Sequence, residues 1–362
     1  MTTALPMPSK GGRWANCPAS VAMEELHPEK SSDDSADEGR AVHWIAAQIL
    51  GDHFEPEELV DRQADNGVVI TVDMMNHAVL YVDAIRAVTD QPVVIEQPLP
   101  AIPGVKQGVT DARFVFNNWG FIFDLKYGYS IVEVVGNWQM IIYAVSMMLK
   151  HEWKLDGIGV TIVQPRPSHP EGKVRAWTIT RDQLINFYHE IVAKAEATRD
   201  PNAACVTGPW CKHCYALHAC EAAREAGCNA VDVTTAPARS REINGQDLSD
   251  ELKALRRASE MITLRLDALE SHATGIINNG GIVPGFMMQT NTGNRRWNVD
   301  VAVIEAMTGM TLTEPKPITP AAAERAGMSE AMLELYASRS ETGRKLVERD
   351  SSALAAKVFG DG

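Results

Sequence analysis

The alternation of apolar and polar positions predicts a mixed α/β core. Upstream, residues 1–16 read as an irregular lead-in. A short helix follows Arg13-Trp14-Ala15-Asn16-Cys17-Pro18 and ends near His27-Pro28, and acidic, serine-rich Glu29–Glu38 reads as a solvated loop. From Gly39, the spacing of Ala41, Trp44, Ile45 and Ile49 predicts a helix that contains His43, and further helices are expected over 56–64 and 71–89. Val93–Glu96 predicts a first strand, Val109–Phe116 a second and Gly120–Lys126 a third. The turn-rich Asn117-Asn118-Trp119-Gly120 between the last two predicts a hairpin. Ile131–Val135 reads as a fourth strand leading into a helix from about Asn137 to Lys150, with two more strands at Gly157–Gln164 and Val174–Ile179. Over 182–198, Leu184, Phe187, Tyr188, Ile191 and Ala195 form the apolar face of a helix.

Residues 229–246 have the composition of a linker. Beyond them, Leu248, Leu252, Leu255, Ile262, Leu266, Leu269, Ala273 and Ile276 alternate three- and four-residue steps, a heptad-like face on a long helix capped by Asp247 or Ser249 and stopped at Asn278-Asn279-Gly280-Gly281. Such a face suits a partner or self-association as well as intramolecular packing. A small hairpin around Asn291-Thr292-Gly293-Asn294 and short helices complete the chain, giving an expected organisation of 1–228, a linker at 229–246 and a mainly helical 247–362.

With 362 residues, 45% hydrophobic and 22% charged, the chain can bury a substantial core. The first fourteen residues lack the apolar run of a signal peptide, and Met140–Leu149 is about half the length that spans a bilayer, so a soluble, cytoplasmic protein without membrane contact is expected. A net charge of −13 argues against coating duplex DNA over a broad face but leaves room for a narrow cationic channel. Lys106, Arg113, Lys173, Arg175, Arg181 and Arg295-Arg296-Trp297 could line one; singly, each reads more readily as solvated surface charge. No Gly-x-x-x-x-Gly-Lys phosphate loop occurs, which removes support for an ATP-driven motor.

The predicted hairpin carries the chemistry. Asp124 and Lys126 lie two apart on one strand and so share a face, and Asp111 on the neighbouring strand can join them. Two carboxylates beside an amine can hold a divalent ion and direct water at a phosphate. Phe121, Ile122, Phe123 and Leu125 mark this strand as internal, where charges need partners. Gln139 and Tyr143, at i and i+4, share one helix face. Taken singly, His43 also reads as a satisfied core histidine and Tyr143 as a core aromatic.

The ordered set Glu38-Gly39-x-x-x-His43, Gly108-x-x-Asp111, Asp124-Leu125-Lys126-Tyr127-Gly128 and Gln139-x-x-x-Tyr143 resembles the PD-(D/E)XK nuclease superfamily, in particular its RecB-like branch, which includes CRISPR-associated four-cysteine exonucleases and phage- or prophage-encoded members. Asp124 stands where many members have Glu. The resemblance implies a restriction-endonuclease-like core, a central mixed sheet flanked by helices. It also implies a metal-dependent DNA exonuclease acting on single strands or duplex ends in a bacterial host cell, in phage or bacterial recombination or processing. His43, Asp111, Asp124 and the main-chain carbonyl of Leu125 would hold Mg2+ or Mn2+, while Lys126, with Gln139 and Tyr143, would serve the reaction alongside Asp111 and Asp124. The rival expectation is a non-catalytic DNA-binding or recombination-partner protein with a nuclease-like shell.

Six cysteines occur, at 17, 205, 211, 214, 220 and 228. Cys211-x-x-Cys214 sets two thiolates at metal-binding spacing, with Cys220 after them. In the iron–sulfur members of the resembled family, one upstream cysteine and a C-x2-C-x5-C trio hold a [4Fe–4S] cluster. Cys17, Cys211, Cys214 and Cys220 match that pattern and would staple the N-terminal helix to the end of the core. A structural Zn2+, with His213 or His218 in place of a thiol, is the alternative, and Cys205 and Cys228 are left as free thiols. Thr319-Pro320-Ala321-Ala322-Ala323-Glu324 also resembles part of the C-terminal region of such phage proteins.

Overall fold

The computed structural model describes residues 4–27, 34–227 and 245–288. These belong to the first of two units, 1–290 and 291–362. Cys228, the linker up to residue 244, the expected hairpin at 291–294, Arg295-Arg296-Trp297, Thr319–Glu324 and the C-terminal short helices lie outside the described residues.

A five-stranded sheet runs in the order β1 (Val94–Pro98), β2 (Val109–Phe116), β3 (Trp119–Leu125), β4 (Gly157–Val163) and β5 (Val174–Thr180). All neighbouring pairs are antiparallel except β3 and β4. The one parallel pair needs a crossover, and α5 (Trp138–Lys150) supplies it. Residues Met140 through Met148 of α5 are all buried, as expected of a helix apolar on every side. Before it come α1 (Gly11–Trp14), α2 (Ser20–Leu26), α3 (Asp34–Leu50) and α4 (Val72–Arg86); after β5 come α6 (Arg181–Ala197) and α7 (Gly245–Asn278).

Strand alternation divides the core. Ile122 of β3, Ile158, Val160 and Ile162 of β4 and Ile179 of β5 pack with α5 and α6. Ala112, Phe114, Phe123, Leu125 and Val163 pack with α3 and α4 instead.

Several expectations are corrected. Helix α3 begins at Asp34, so the acidic stretch is helical from there. The expected helix at 56–64 is only a 3-10 turn, Pro56–Leu59. Ile131–Val135 forms no strand. Gln164 and Arg175 instead satisfy the backbone around it: Gln164 Oε1 accepts from Val132 N at 3.1 Å, Gln164 Nε2 donates to Ser130 O at 2.7 Å, and Arg175 donates to Val132 O at 2.8 Å. The β-branched run carries strand propensity, but side chains meet the hydrogen-bonding need that a neighbouring strand would have met. Arg175 is thereby removed from any groove. So is Arg113, which is buried and donates to the carbonyls of Gln97 and Pro98, at 2.6 and 3.2 Å.

Helix α7 starts at Gly245, which places Asp247 and Ser249 inside it rather than at its cap. It packs through Met261, Leu264 and Ala268 against Cys211, Leu217 and Ala223. Much of the heptad-like face (Leu248, Leu255, Ile262, Leu266, Leu269, Ile276) is exposed.

Candidate active site and thiol pocket

The polar centre lies at the end of the sheet where β3 finishes. The β2–β3 ladder pairs Ala112 with Phe123, which sets Asp111 opposite Asp124 one step further on. On the other side, β1 pairs Ile95 with Ala112 and Gln97 with Thr110, which sets Glu96 opposite Asp111. Three carboxylates therefore stand in one row across three strands. Glu96 adopts φ 47, a left-handed conformation that costs a non-glycine residue energy.

Each carboxylate has its own environment. Leu125 N donates to Asp111 Oδ2 at 2.8 Å, and His43 Nδ1, brought in by α3, lies 3.4 Å from the same oxygen. His43, Glu96 and Asp111 can each present a ligand atom within 4.8 Å of the others. Asp124 is 2% exposed, and its Oδ2 lies 2.8 Å from Lys126 Nζ. Beyond this ion pair Oδ2 has no hydrogen-bond partner, so the buried carboxylate oxygen keeps a lone pair for a cation.

Gln139 ties the remaining groups together. Its Oε1 accepts from Lys126 Nζ at 2.9 Å, and its Nε2 donates to Asp124 Oδ1 at 3.2 Å and to the Tyr143 hydroxyl at 3.3 Å. The Asn137 side chain accepts from Gln139 N and Met140 N, at 3.0 and 3.2 Å, which fixes where α5 starts and aims Gln139 and Tyr143 at the sheet. Gly108 makes room for this. A Cβ there would meet Tyr143 Cε1 at 2.6 Å, so the glycine of Gly108-x-x-Asp111 is required by close approach. Glu38 pairs with Arg166, whose guanidinium lies 3.6 Å from the centre of the Tyr127 ring and ties α3 to the loop after β4.

The charges sort themselves. Burial alone would push His43 down, but Asp111 and then Asp124 outweigh it and raise its pKa to about 9. Burial would raise Asp111, yet the neighbouring His43 outweighs it and pulls the carboxyl low. At Asp124 burial prevails and holds the carboxyl up despite Lys126. Burial would also lower Lys126, but Asp124 and Asp111 hold it above the ordinary lysine range, and it stays an ammonium. Burial pushes Tyr143 to about 12, which keeps it a neutral phenol at physiological pH.

An open cleft of about 650 Å³ reaches Lys126 and Gln139 and is lined also by Val132, Val135, Trp138, Ser9 and Pro209.

Glu96 is a member of this centre that no motif in the sequence announces. Only its register opposite Asp111 brings it there. The one available signal is a carboxylate at the end of an apolar strand.

The second centre is a pocket lined by Cys17, Cys205, Cys211, Cys214 and Cys220, with Arg13 at its edge. Cys17 follows α1; Cys211 lies in a 3-10 turn, Pro209–His213, with Cys214 as its cap, and Cys220 caps a second such turn, Leu217–Ala219. Val206 N donates to Cys17 Sγ at 3.3 Å across the pocket. Arg13 pairs with Glu24 at 2.8 Å and donates to His213 O, which ties α1, α2 and the cysteine segment together. Neither His213 nor His218 lines the pocket, whereas five cysteines do. His218 instead stacks on His272 of α7, with ring centres 4.3 Å apart. Cys205, left over by the spacing argument, shares the pocket with the other four. Burial pushes the Cys17 and Cys211 thiols up, Cys214 to about 11 and Cys205, with Cys220 and Cys17 beside it, to about 12.

This chain belongs to the family described as "Protein of unknown function (DUF2800)", whose model matches residues 4–349. Among solved structures, it is similar to one described as "Putative exonuclease" from Eubacterium rectale, at 13% identity and a TM-score of 0.34, over 67% of this chain and 92% of that one. It is also similar to a structure described as SSO0001, at 14% identity and a TM-score of 0.24, over 57% and 95% of the respective chains. Likeness of this degree does not extend to function. No described helix is long and apolar enough to cross a membrane.

Proposed function

We propose that the protein is a metal-dependent DNA nuclease of the PD-(D/E)XK type, acting as an exonuclease on single strands or duplex ends in bacterial or phage DNA processing. The observation that carries this reading is the linked set His43–Asp111 and Asp124–Lys126–Gln139–Tyr143, which joins a carboxylate row to one ammonium at a cleft.

His43, Asp111, Glu96, Asp124 and the Leu125 carbonyl would hold Mg2+ or Mn2+; the oxygen-rich donors and the open lone pair on Asp124 suit such an ion. When bound, it supplies charge neutralisation at the phosphate and acidifies water. Lys126, kept protonated by Asp124 and Asp111, donates to the attacking water and offsets charge that grows on the phosphate oxygens. Gln139 fixes the ammonium in place, and Tyr143 supports Gln139. The row of acids repels a polyanion until a cation is present, which favours entry of the DNA backbone only at the cleft.

We assign a [4Fe–4S] cluster to Cys17, Cys211, Cys214 and Cys220, as a structural staple. The concentration of five thiols in one pocket supports a soft metal. The exposed apolar edge of α7 supports a recombination partner or self-association there.

The test is digestion of end-labelled DNA in Mn2+ by wild type, Asp111→Asn and Lys126→Ala, with DNA retention measured separately in EDTA. Loss of digestion in both variants with iron content unchanged is expected. Undiminished digestion removes the proposed site, and retention without digestion by the wild type leaves a non-catalytic DNA-binding protein.

A further inference from the structure

The chain between Lys126 and Gln139 borders the cleft without forming helix or strand, yet its backbone is fixed. Gln164 Nε2 donates to Gly128 O and Ser130 O, at 3.2 and 2.7 Å, and Gln164 Oε1 accepts from Val132 N at 3.1 Å. These bonds hold the inner edge of the segment and leave Tyr129 and Ile131 73% and 51% exposed. Arg166 lies over two rings at once, 3.6 Å from the centre of Tyr127 and 4.8 Å from that of Tyr129. One face of the Tyr129 ring is therefore covered by a guanidinium, and the other is open. Next to it, Ser130 Oγ accepts from Lys212 Nζ at 3.1 Å. Lys212 is exposed and forms no ion pair among the described residues. It comes from the turn Pro209–His213, which also carries Cys211, and Pro209 of that turn lines the cleft.

An open aromatic face beside an ammonium suits an unstacked base and its phosphate, whereas a duplex keeps its base faces covered. The geometry points to Tyr129 and Lys212 as a grip for single-stranded DNA beside the cleft: the ring stacks a nucleobase and the ammonium takes the adjoining phosphate. Tyr129 lies three residues past Lys126, at most about 10 Å of chain, which is about three steps of a stacked strand. The gripped base therefore falls close to the reacting phosphate. Because the ring is held by Arg166 and the backbone by Gln164, little freedom is lost when the strand arrives. This rests on the nuclease reading above and deepens it, naming single strands rather than duplex ends as the substrate.

The experiment measures, by fluorescence anisotropy in EDTA across a salt series, the binding of three labelled probes. These are an oligothymidylate of about twelve nucleotides, an abasic strand of equal length, and the blunt duplex of the oligothymidylate with oligoadenylate. EDTA prevents digestion, and the two residues lie outside the carboxylate row, so their contribution is read alone. The full-length chains compared are wild type, Tyr129→Ala, Tyr129→Phe and Lys212→Gln. Tyr129→Ala is expected to weaken oligothymidylate binding about tenfold and leave the abasic strand and the duplex unmoved, while Tyr129→Phe keeps wild-type affinity. Lys212→Gln is expected to weaken both single strands and to lower the slope of log affinity against log salt by about 0.7, the value for one phosphate contact on a single strand. Both side chains are exposed, so denaturation midpoints should match wild type. Tyr129→Ala that weakens neither strand, or both equally, overturns the stacking role, and an unchanged salt slope in Lys212→Gln overturns the phosphate contact. Wild type that binds no single strand, or prefers the duplex, overturns the grip as a whole. Digestion of the oligothymidylate in Mn2+ separates the two readings. Digestion by wild type with affinities unmoved in the variants removes this inference alone, and expected losses of affinity without any digestion remove the nuclease reading and leave the grip.

Discussion

The carboxylate centre and the thiol pocket are assembled in different ways. At the carboxylate centre, Asp111, Asp124 and Lys126 come from one hairpin, and Gln139 and Tyr143 from the helix after it; strand register and one helix cap determine where they point. The thiol pocket joins Cys17 to a segment nearly two hundred residues later, and it is held by Arg13, Glu24 and backbone contacts rather than by regular structure. The first arrangement suits groups that must be aimed, because packed strands fix side chains tightly. The second suits a cross-link, whose worth grows with the length of chain it closes.

The widest separation between the two centres is expected from Lys126→Ala and Asp111→Asn, which should lower metal-dependent DNA degradation by about 10²–10³-fold and leave metal at the thiol pocket untouched. Single-turnover digestion beside an iron assay reads both; a parallel loss of iron would show that the two centres are not separable. The converse change is Cys17→Ser. By chain-entropy scaling, opening a loop of this length removes up to ~5 kcal/mol of stability, measurable as a lowered denaturation midpoint relative to loaded wild type.

Glu96→Gln sharpens the comparison from inside the carboxylate centre. A roughly tenfold weaker Mn2+ affinity by calorimetry, with an unchanged fold, is expected if Glu96 contributes to the ion. An unaltered affinity would return it to a solvated carboxylate.

A further effect is in pH. His43 is raised in the folded protein from near 6.5 to about 9 by Asp111 and Asp124 against its burial, so it binds a proton more tightly folded than unfolded. In metal-free protein this contribution, on the order of 3 kcal/mol, is fully present below pH 6.5 and is lost as pH rises through 9. Denaturation in EDTA at about pH 6.5 and about pH 9.5 checks it. Because an ion must displace that proton, Mn2+ binding should tighten over the same interval.

Much of the centre was legible because its residues obey short periods. Asp124 and Lys126 share a strand face, Gln139 and Tyr143 share a helix face, and turn residues marked the hairpin. The sheet was readable for the same reason, apart from Ile131–Val135, where long-range bonds from Gln164 and Arg175 overrode local preference. The buried Arg113 and Arg175 could not be told from groove cations, since composition does not show which carbonyls a guanidinium reaches.

What the sequence determined by itself is therefore the local part: which side chains share a face, and which cysteines have metal spacing. Tertiary structure alone decided that Glu96 stands beside Asp111, that His43 crosses from α3 to meet them, that Cys205 turns into the thiol pocket, and that α7 packs through Met261 rather than its heptad face. Those outcomes depend on register and on contacts between distant segments, which no period of two or 3.6 residues encodes.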